Sequence, residues 1–121
     1  MAQAENKTAY DLEERTLKFA KNVRVFINKI PKTLANNEDG KQLLRSSGSI
    51  GANYIEANES LGKKDLVMKL KISKKEAKES KYWLSLINLG EINELRKEQQ
   101  MLYQESHELM CIFGAIIKKC G

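Results

Sequence analysis

The residues best suited to chemistry in this chain are ionisable, and their charge is unevenly placed. Residues 63–81 carry eight Lys against three Asp or Glu, an excess of five. Residues 1–62 hold nine Lys or Arg against eight acids, and residues 82–121 hold four against five. The formal net charge of +5 therefore resides in one short segment. Charge gathered in this way marks a local basic patch rather than a diffusely basic surface. If the segment is helical, Lys64, Lys71, Lys75 and Lys78 share one face, with Lys74 and Lys81 at its edge. Ammonium groups in such a stripe attract phosphates without reading base sequence. The plain alternative is a solvated face that confers solubility.

Other candidates carry less chemistry. Glu76 and Glu79 are spaced to share one helix edge, as a paired-carboxylate acid/base site would require. A structural role explains them better. Buried charges need partners, and Arg45 or the Ser and Asn residues around it could supply them. Arg45, Ser46, Ser49, Asn53, Glu56, Glu76 and Glu79 are thus expected to form a polar seam between helices or subunits. Gly48-Ser49-Ile50-Gly51 fits the Gly-x-x-Gly of one RNA-binding loop type, but it lies inside a predicted helix, where close packing accounts for it. His107 falls off the apolar stripe of its own segment and reads as a surface histidine. Cys111 and Cys120 lie nine apart, which suits neither a metal site nor a Cys-x-x-Cys redox pair, so free thiols are expected. Glu-x-x-His, zinc and phosphate-loop motifs are missing from the sequence. Neither a catalytic residue nor a metal or cofactor is expected, and the chain is read as a non-enzyme.

Four amphipathic segments must position these residues. From about Asp11 to Ile30, Leu12, Phe19, Val23, Phe26 and Ile30 recur at three and four, and Pro31 is expected to stop that helix. A polar loop is predicted from Lys32 to about Asn37, then a second helix from about Glu38 to Asn58. That helix is rich in Ser, Gly and Asn, which are mediocre helix formers and need neighbours to hold them. After a turn ending at Gly62, a third helix is predicted over about Lys63–Leu89. Leu66, Leu70, Ser73, Ala77, Ser80, Leu84 and Ile87 line its first face. A second flank carries Met68, Ile72, Trp83 and Leu86. Two apolar stripes on one helix suggest two partners, so this flank is the expected oligomer interface. Gly90 is expected to end the third helix. A fourth runs to about Lys119 on Leu95, Leu102, Leu109, Phe113 and Ile116.

The chain of 121 residues has 41% apolar and 31% charged residues with one proline. This composition fits one ordinary domain, too apolar for disorder and too charged for a membrane protein. Residues 1–9 are expected to form a frayed tail and residues 10–121 the folded domain. The first residues have no apolar core of the signal-peptide kind, so a cytoplasmic location is expected. Short connections and the lack of strand patterning predict an all-α fold, an antiparallel up-down-up-down four-helix bundle.

Several stretches resemble a known family. Asp11-Leu12-Glu13-Glu14-Arg15 with Phe19-Ala20, Val23 and Pro31 resembles its first-helix pattern. Leu43-Leu44-Arg45-Ser46, Ser49-Ile50-Gly51-Ala52-Asn53-Tyr54 and Glu56-Ala57 are similar to its most characteristic motif. Glu76-Ala77-Lys78-Glu79-Ser80 with Tyr82-Trp83-Leu84 resembles its third-helix signature. The family is that of small bacterial bundle proteins first noticed in intervening sequences of large-subunit ribosomal RNA genes, often labelled ribosomal. The resemblance spans about Tyr10 to Lys118. It implies a homo-oligomer, a ring of five, related to the accessory variability determinant of diversity-generating retroelements, which binds nucleic acid and a reverse transcriptase. It implies no enzyme. Asn58 and Glu59 stand where many relatives carry basic or glycine residues. Together these readings point to an oligomeric bundle that binds RNA or a ribonucleoprotein through helix-three lysines. The alternative is a protein–protein scaffold or accessory subunit.

Overall fold

A computed structural model describes the backbone of residues 2–121 and the side chains from Asp11 onward. The expected tail over residues 1–9 lies outside these fully described residues. Four helices follow one another: α1 (Ala2–Ile27), α2 (Leu34–Asn58), α3 (Lys63–Leu86) and α4 (Arg96–Cys120). A single 3₁₀ turn, Asn93–Leu95, leads into α4. Among the described residues there is no strand. Cross-helix bonds fix the directions. Ser46 on α2 meets Ser80 on α3, and Lys69 on α3 meets Glu56 on α2. Lys81 meets His107, and Arg15 meets Glu105. Each neighbouring pair runs antiparallel, which makes an all-α up-down-up-down bundle.

The predicted stripes converge on one core. Phe19, Val23 and Phe26 of α1 pack with Leu43 and Ile50 of α2, Leu70, Ala77 and Leu84 of α3, and Leu109 and Phe113 of α4. Burying each large apolar side chain contributes about 1.5–3 kcal/mol. Tyr54 meets Phe113 edge to face, with ring centroids 5.7 Å apart. Ser46, Ser47, Ser73, Ser80 and Ser106 are also buried. Each bonds a carbonyl or another hydroxyl, as with Ser73 Oγ donating to Ile50 O across α2 and α3 at 2.9 Å. Small hydroxyl residues thus let helix backbones approach while keeping their polar atoms satisfied.

Helix boundaries differ from the expected ones for local reasons. The first helix ends at Ile27 rather than at Pro31. The residue before a proline avoids the helical region, so the chain leaves the helix a few residues early. Helix α2 begins at Leu34, four residues before the expected start, because Thr33 caps it and accepts from Asn36 N at 3.1 Å. Helix α3 ends at Leu86, not Leu89, with Ile87 extended. Gly90, at φ +62°, makes the turn that follows rather than the helix end itself.

Two amides hold these loops. Asn36 is 1% exposed. Its Nδ2 donates to Pro31 O at 3.0 Å and to Asn88 O at 2.8 Å, while its Oδ1 accepts from Asn88 N at 3.0 Å. The α1–α2 loop is thereby tied to the α3–α4 loop. Gln99 Nε2 donates to Leu84 O and Ile87 O, closing the open carbonyls at the end of α3.

Candidate nucleic-acid interface

Helix α3 sits between α2 and α4, so its faces are assigned by what they touch. Its inner face is core. The side towards α2 carries Lys69, Glu76 and Ser80, and the side towards α4 carries Lys74 and Lys81. The remaining, outward face holds Lys64, Lys71, Lys75 and Lys78, all exposed. At 1.5 Å rise per residue, this row is about 21 Å long.

The acidic residues of the same segment stand elsewhere. Glu76 is 6% exposed and faces Arg45, whose Nη1 lies 4.0 Å from Glu76 Oε2. Arg45 Nη2 lies 3.8 Å from Glu79 Oε1. Asp65 sits in the first turn of α3, where the helix dipole favours an anion. Among the described residues, Lys29 and Lys69 are the lysines held in salt bridges, to Glu98 and Glu56. The Glu56 carboxylate holds the Lys69 ammonium above its ordinary lysine range, by hydrogen bond first and charge second. Lys64, Lys71, Lys74, Lys75 and Lys78 have no carboxylate within salt-bridge distance among the described residues.

The structure splits the expected lysine site. Lys74 lies along α4, its Cε 3.6 Å from where a Cβ on Gly114 would stand. Lys81 is half-buried in the α3–α4 seam. Its Nζ lies 3.0 Å from His107 Nδ1 and 5.3 Å from the centre of the Tyr103 ring. His107 is therefore not a free surface residue as its helical phase suggested, because a lysine from the neighbouring helix folds over it. The other ring nitrogen, Nε2, lies 3.6 Å from Cys111 Sγ. A cross-helix contact of this kind has no sequence signal.

The expected polar seam resolves into separate parts. Ser46 Oγ and Ser80 Oγ are 2.8 Å apart and fully buried. Asn53 Nδ2 donates back to Ser49 O and Oγ, both at 2.9 Å, within α2. Glu56 reaches Lys69 at 2.9 Å. Arg45, 60% exposed, approaches Glu76 and Glu79 without a short hydrogen bond to either. Glu76 Oε1 and Trp83 Nε1 are buried without a partner among the described residues. On the second flank, Met68 and Leu86 are exposed, while Ile72 and Trp83 are half-buried. Tyr82 is 59% exposed and packs edge to face on Trp83 at 5.2 Å. The sequence marks Tyr82 only as part of the third-helix signature, although its spacing from Lys78, Lys75 and Lys71 places it on the same face.

Two surface grooves lie away from α3. One, about 550 Å³, separates α1 from α4 over Phe19 and Leu102. Ion pairs edge it: Arg15 forks onto Glu105 at 2.7 and 2.9 Å and reaches Glu108 at 2.8 Å, and Lys29 meets Glu98 at 3.1 Å. The Glu105 hydrogen bonds, then its charge and those of Glu108, hold Arg15 above the usual guanidinium range against the opposing effect of burial. The other groove, about 500 Å³, lies between α1 and α2 over Gly48, Gly51 and Thr16. Among the described residues, no three His, Cys, Asp or Glu side chains gather as a metal site. No helix among them is long and apolar enough to cross a membrane.

Comparison with known proteins fits this geometry. A crystal structure of a protein of unknown function from the S23 ribosomal protein family of Bacteroides thetaiotaomicron is 32% identical. The match covers 88% of this chain and 98% of that one, with a TM-score of 0.71. No curated protein matches the chain. The model of the 23S rRNA-intervening sequence proteins matches residues 9–114. This stretch takes in α2 and α3 whole, most of α1 and α4, and the whole lysine row, and the chain belongs to that family.

Proposed function

We propose that this protein is a non-enzymatic, homo-oligomeric bundle that binds RNA, alone or within a ribonucleoprotein, through the outward face of α3. The observation that carries the reading is the row Lys64, Lys71, Lys75 and Lys78, exposed and without carboxylate partners among the described residues. Such a row gains most from a polyanion, which loses its condensed counterions as the ammonium groups replace them. Binding is salt-sensitive and weakly sequence-specific on this reading, since phosphate contacts position a ligand without reading bases. The reading assigns no catalytic residue.

Its test is Lys71→Glu, Lys75→Glu and Lys78→Glu combined, with RNA affinity measured across a salt series. Each phosphate contact adds about 0.7 to the slope of log affinity against log salt for a single strand. Losing three contacts lowers the slope by about 2 and weakens binding at low salt. Unchanged affinity and slope refute the lysine reading.

A second reading rests on a different observation. Met68 and Leu86 are exposed beside the half-buried Ile72 and Trp83. Exposed apolar side chains gathered in this way gain from being covered, here by a second copy of the chain, with a ring of five as the expected assembly. Trp83→Ala is expected to weaken assembly in light scattering, and a monomeric unmodified protein defeats the subunit reading. Capture of one stoichiometric partner without RNA, a reverse transcriptase or another protein, would favour a scaffold instead.

A further inference from the structure

The outward face of α3 does not end with its lysines. Tyr82 stands four residues beyond Lys78, seven beyond Lys75 and eleven beyond Lys71, which places its ring in the same row about 6 Å further along the axis. The ring is 59% exposed although a tyrosine carries a large apolar surface. It is also held, since it meets the half-buried Trp83 ring at 5.2 Å and 72°. A braced aromatic at the end of a charged row is an arrangement of known physical use. The lysines follow a phosphate backbone and the ring receives a base.

Resting on the proposed RNA-binding role of these lysines, we infer that the row takes an unpaired strand rather than a duplex, with Tyr82 stacking one base. A duplex keeps its bases stacked inside and offers phosphates, 2′-hydroxyls and base edges, but no free base face, to a helix surface. An unpaired strand turns its bases outward, and every base has a face that can cover an aromatic ring. The other exposed tyrosine near the row, Tyr103, is not equivalent. The Lys81 ammonium already lies 5.3 Å from its ring centre.

The test compares a mixed-sequence single-stranded RNA with the same strand in a duplex, by fluorescence anisotropy at one salt concentration. The ligands bind to unmodified protein, Tyr82→Ala, Tyr82→Phe and the triple lysine variant, with assembly matched by light scattering. Tyr82→Ala is expected to weaken single-strand binding about 5- to 150-fold, the range for losing one stacked base. Tyr82→Phe keeps the ring and is expected to bind like the unmodified protein. Duplex binding is expected to be weaker and insensitive to Tyr82. Trp83 is the only tryptophan and touches Tyr82, so single-strand binding is also expected to change its emission. If Tyr82→Ala binds the single strand as tightly as the unmodified protein while the lysine variant does not, stacking is wrong and the lysine row stands. Equal binding of strand and duplex overturns the inference as well. If the lysine variant also binds normally, the underlying reading of the row falls with it.

Discussion

Replacing one glycine by alanine on α2 should have opposite effects at two positions three residues apart. In a helix interior, Gly→Ala is ordinarily favourable by about 0.5–1 kcal/mol, because glycine loses more backbone freedom on folding. At Gly48 nothing opposes that gain. A Cβ there would lie 3.7 Å from Arg24 Nη2, an ordinary contact with the far end of a flexible side chain. At Gly51 the added Cβ would lie 2.8 Å from Thr16 Oγ1 and 3.2 Å from Thr16 Cβ. Thr16 cannot easily move away. It is 1% exposed, and its hydroxyl donates to Leu12 O at 2.9 Å and to Glu13 O at 3.0 Å within α1.

Relieving that overlap requires α1 and α2 to separate or Thr16 to give up its place, and overpacking of this kind costs about 1–3 kcal/mol. The cost exceeds the helix gain over most of its range. Gly51→Ala is therefore expected to be destabilising by about 0.5–2 kcal/mol and Gly48→Ala stabilising by about 0.5–1 kcal/mol. Urea unfolding followed by circular dichroism measures both. Adding Thr16→Ala removes the 2.8 Å contact, so the Gly51→Ala penalty is expected to shrink in the double variant. Gly51→Ala as stable as Gly48→Ala, or no coupling to Thr16, would refute the close-packing account of the Gly-x-x-Gly stretch.

Three further outcomes follow from individual contacts. Asn36→Ala removes three part-buried hydrogen bonds, two of them to Asn88 of the α3–α4 loop, at about 0.5–1.5 kcal/mol each. A loss of about 2–4 kcal/mol is expected in denaturant unfolding, and a loss under 1 would mean that water replaces the amide. Thr33→Ala removes the α2 cap and is expected to cost about 1 kcal/mol, whereas Thr33→Ser keeps the acceptor and most of the stability. The Glu108 carboxyl is held below its ordinary 4.5, first by Gln104 and then by Arg15. A carboxyl so lowered adds stability above its ordinary pKa and loses it as the pH falls through the lowered one. Glu108→Gln is therefore expected to flatten the acid limb of a stability–pH profile, and an unchanged limb would show the contact to be without weight.

The helix faces were readable because the 3.6-residue period is local. Leu12, Phe19 and Val23, or Leu102, Leu109 and Phe113, need only their own helix to define the buried side. The ends were less readable where two signals compete. Pro31 marked the α1–α2 connection, but the restriction it places on the preceding residue ended α1 early, and Thr33 restarted the helix at once. What stayed hidden depends on distant pairing. Asn36 looks like a polar loop residue until Asn88, 52 positions later, meets it. His107 has a surface phase until Lys81 of another helix covers it. For the lysine site, the charge count marked the segment, but only the fold distinguishes Lys81, occupied by α4, from Lys71, Lys75 and Lys78, which face outward.

The separation of charge on α3 also decides how the row acts. Its two mid-helix carboxylates, Glu76 and Glu79, lie on the side of Arg45, and Lys74 and Lys81 lie on the side of α4. Neither carboxylate is in salt-bridge contact with a lysine of the outward face. Lys71, Lys75 and Lys78 are about 6 and 4.5 Å apart along the axis. Both spacings are within the screening length of about 8 Å at physiological salt, so their potentials add. Lys64 stands about 10.5 Å from Lys71 along the axis, beyond that length. The three central lysines therefore act as one cluster and Lys64 as a nearly independent charge. Reversing Lys64 alone is expected to weaken RNA binding less than reversing Lys75, which has a like charge on either side. Equal losses at the two positions in the same anisotropy assay would mean that the ligand contacts each lysine separately, without a shared field.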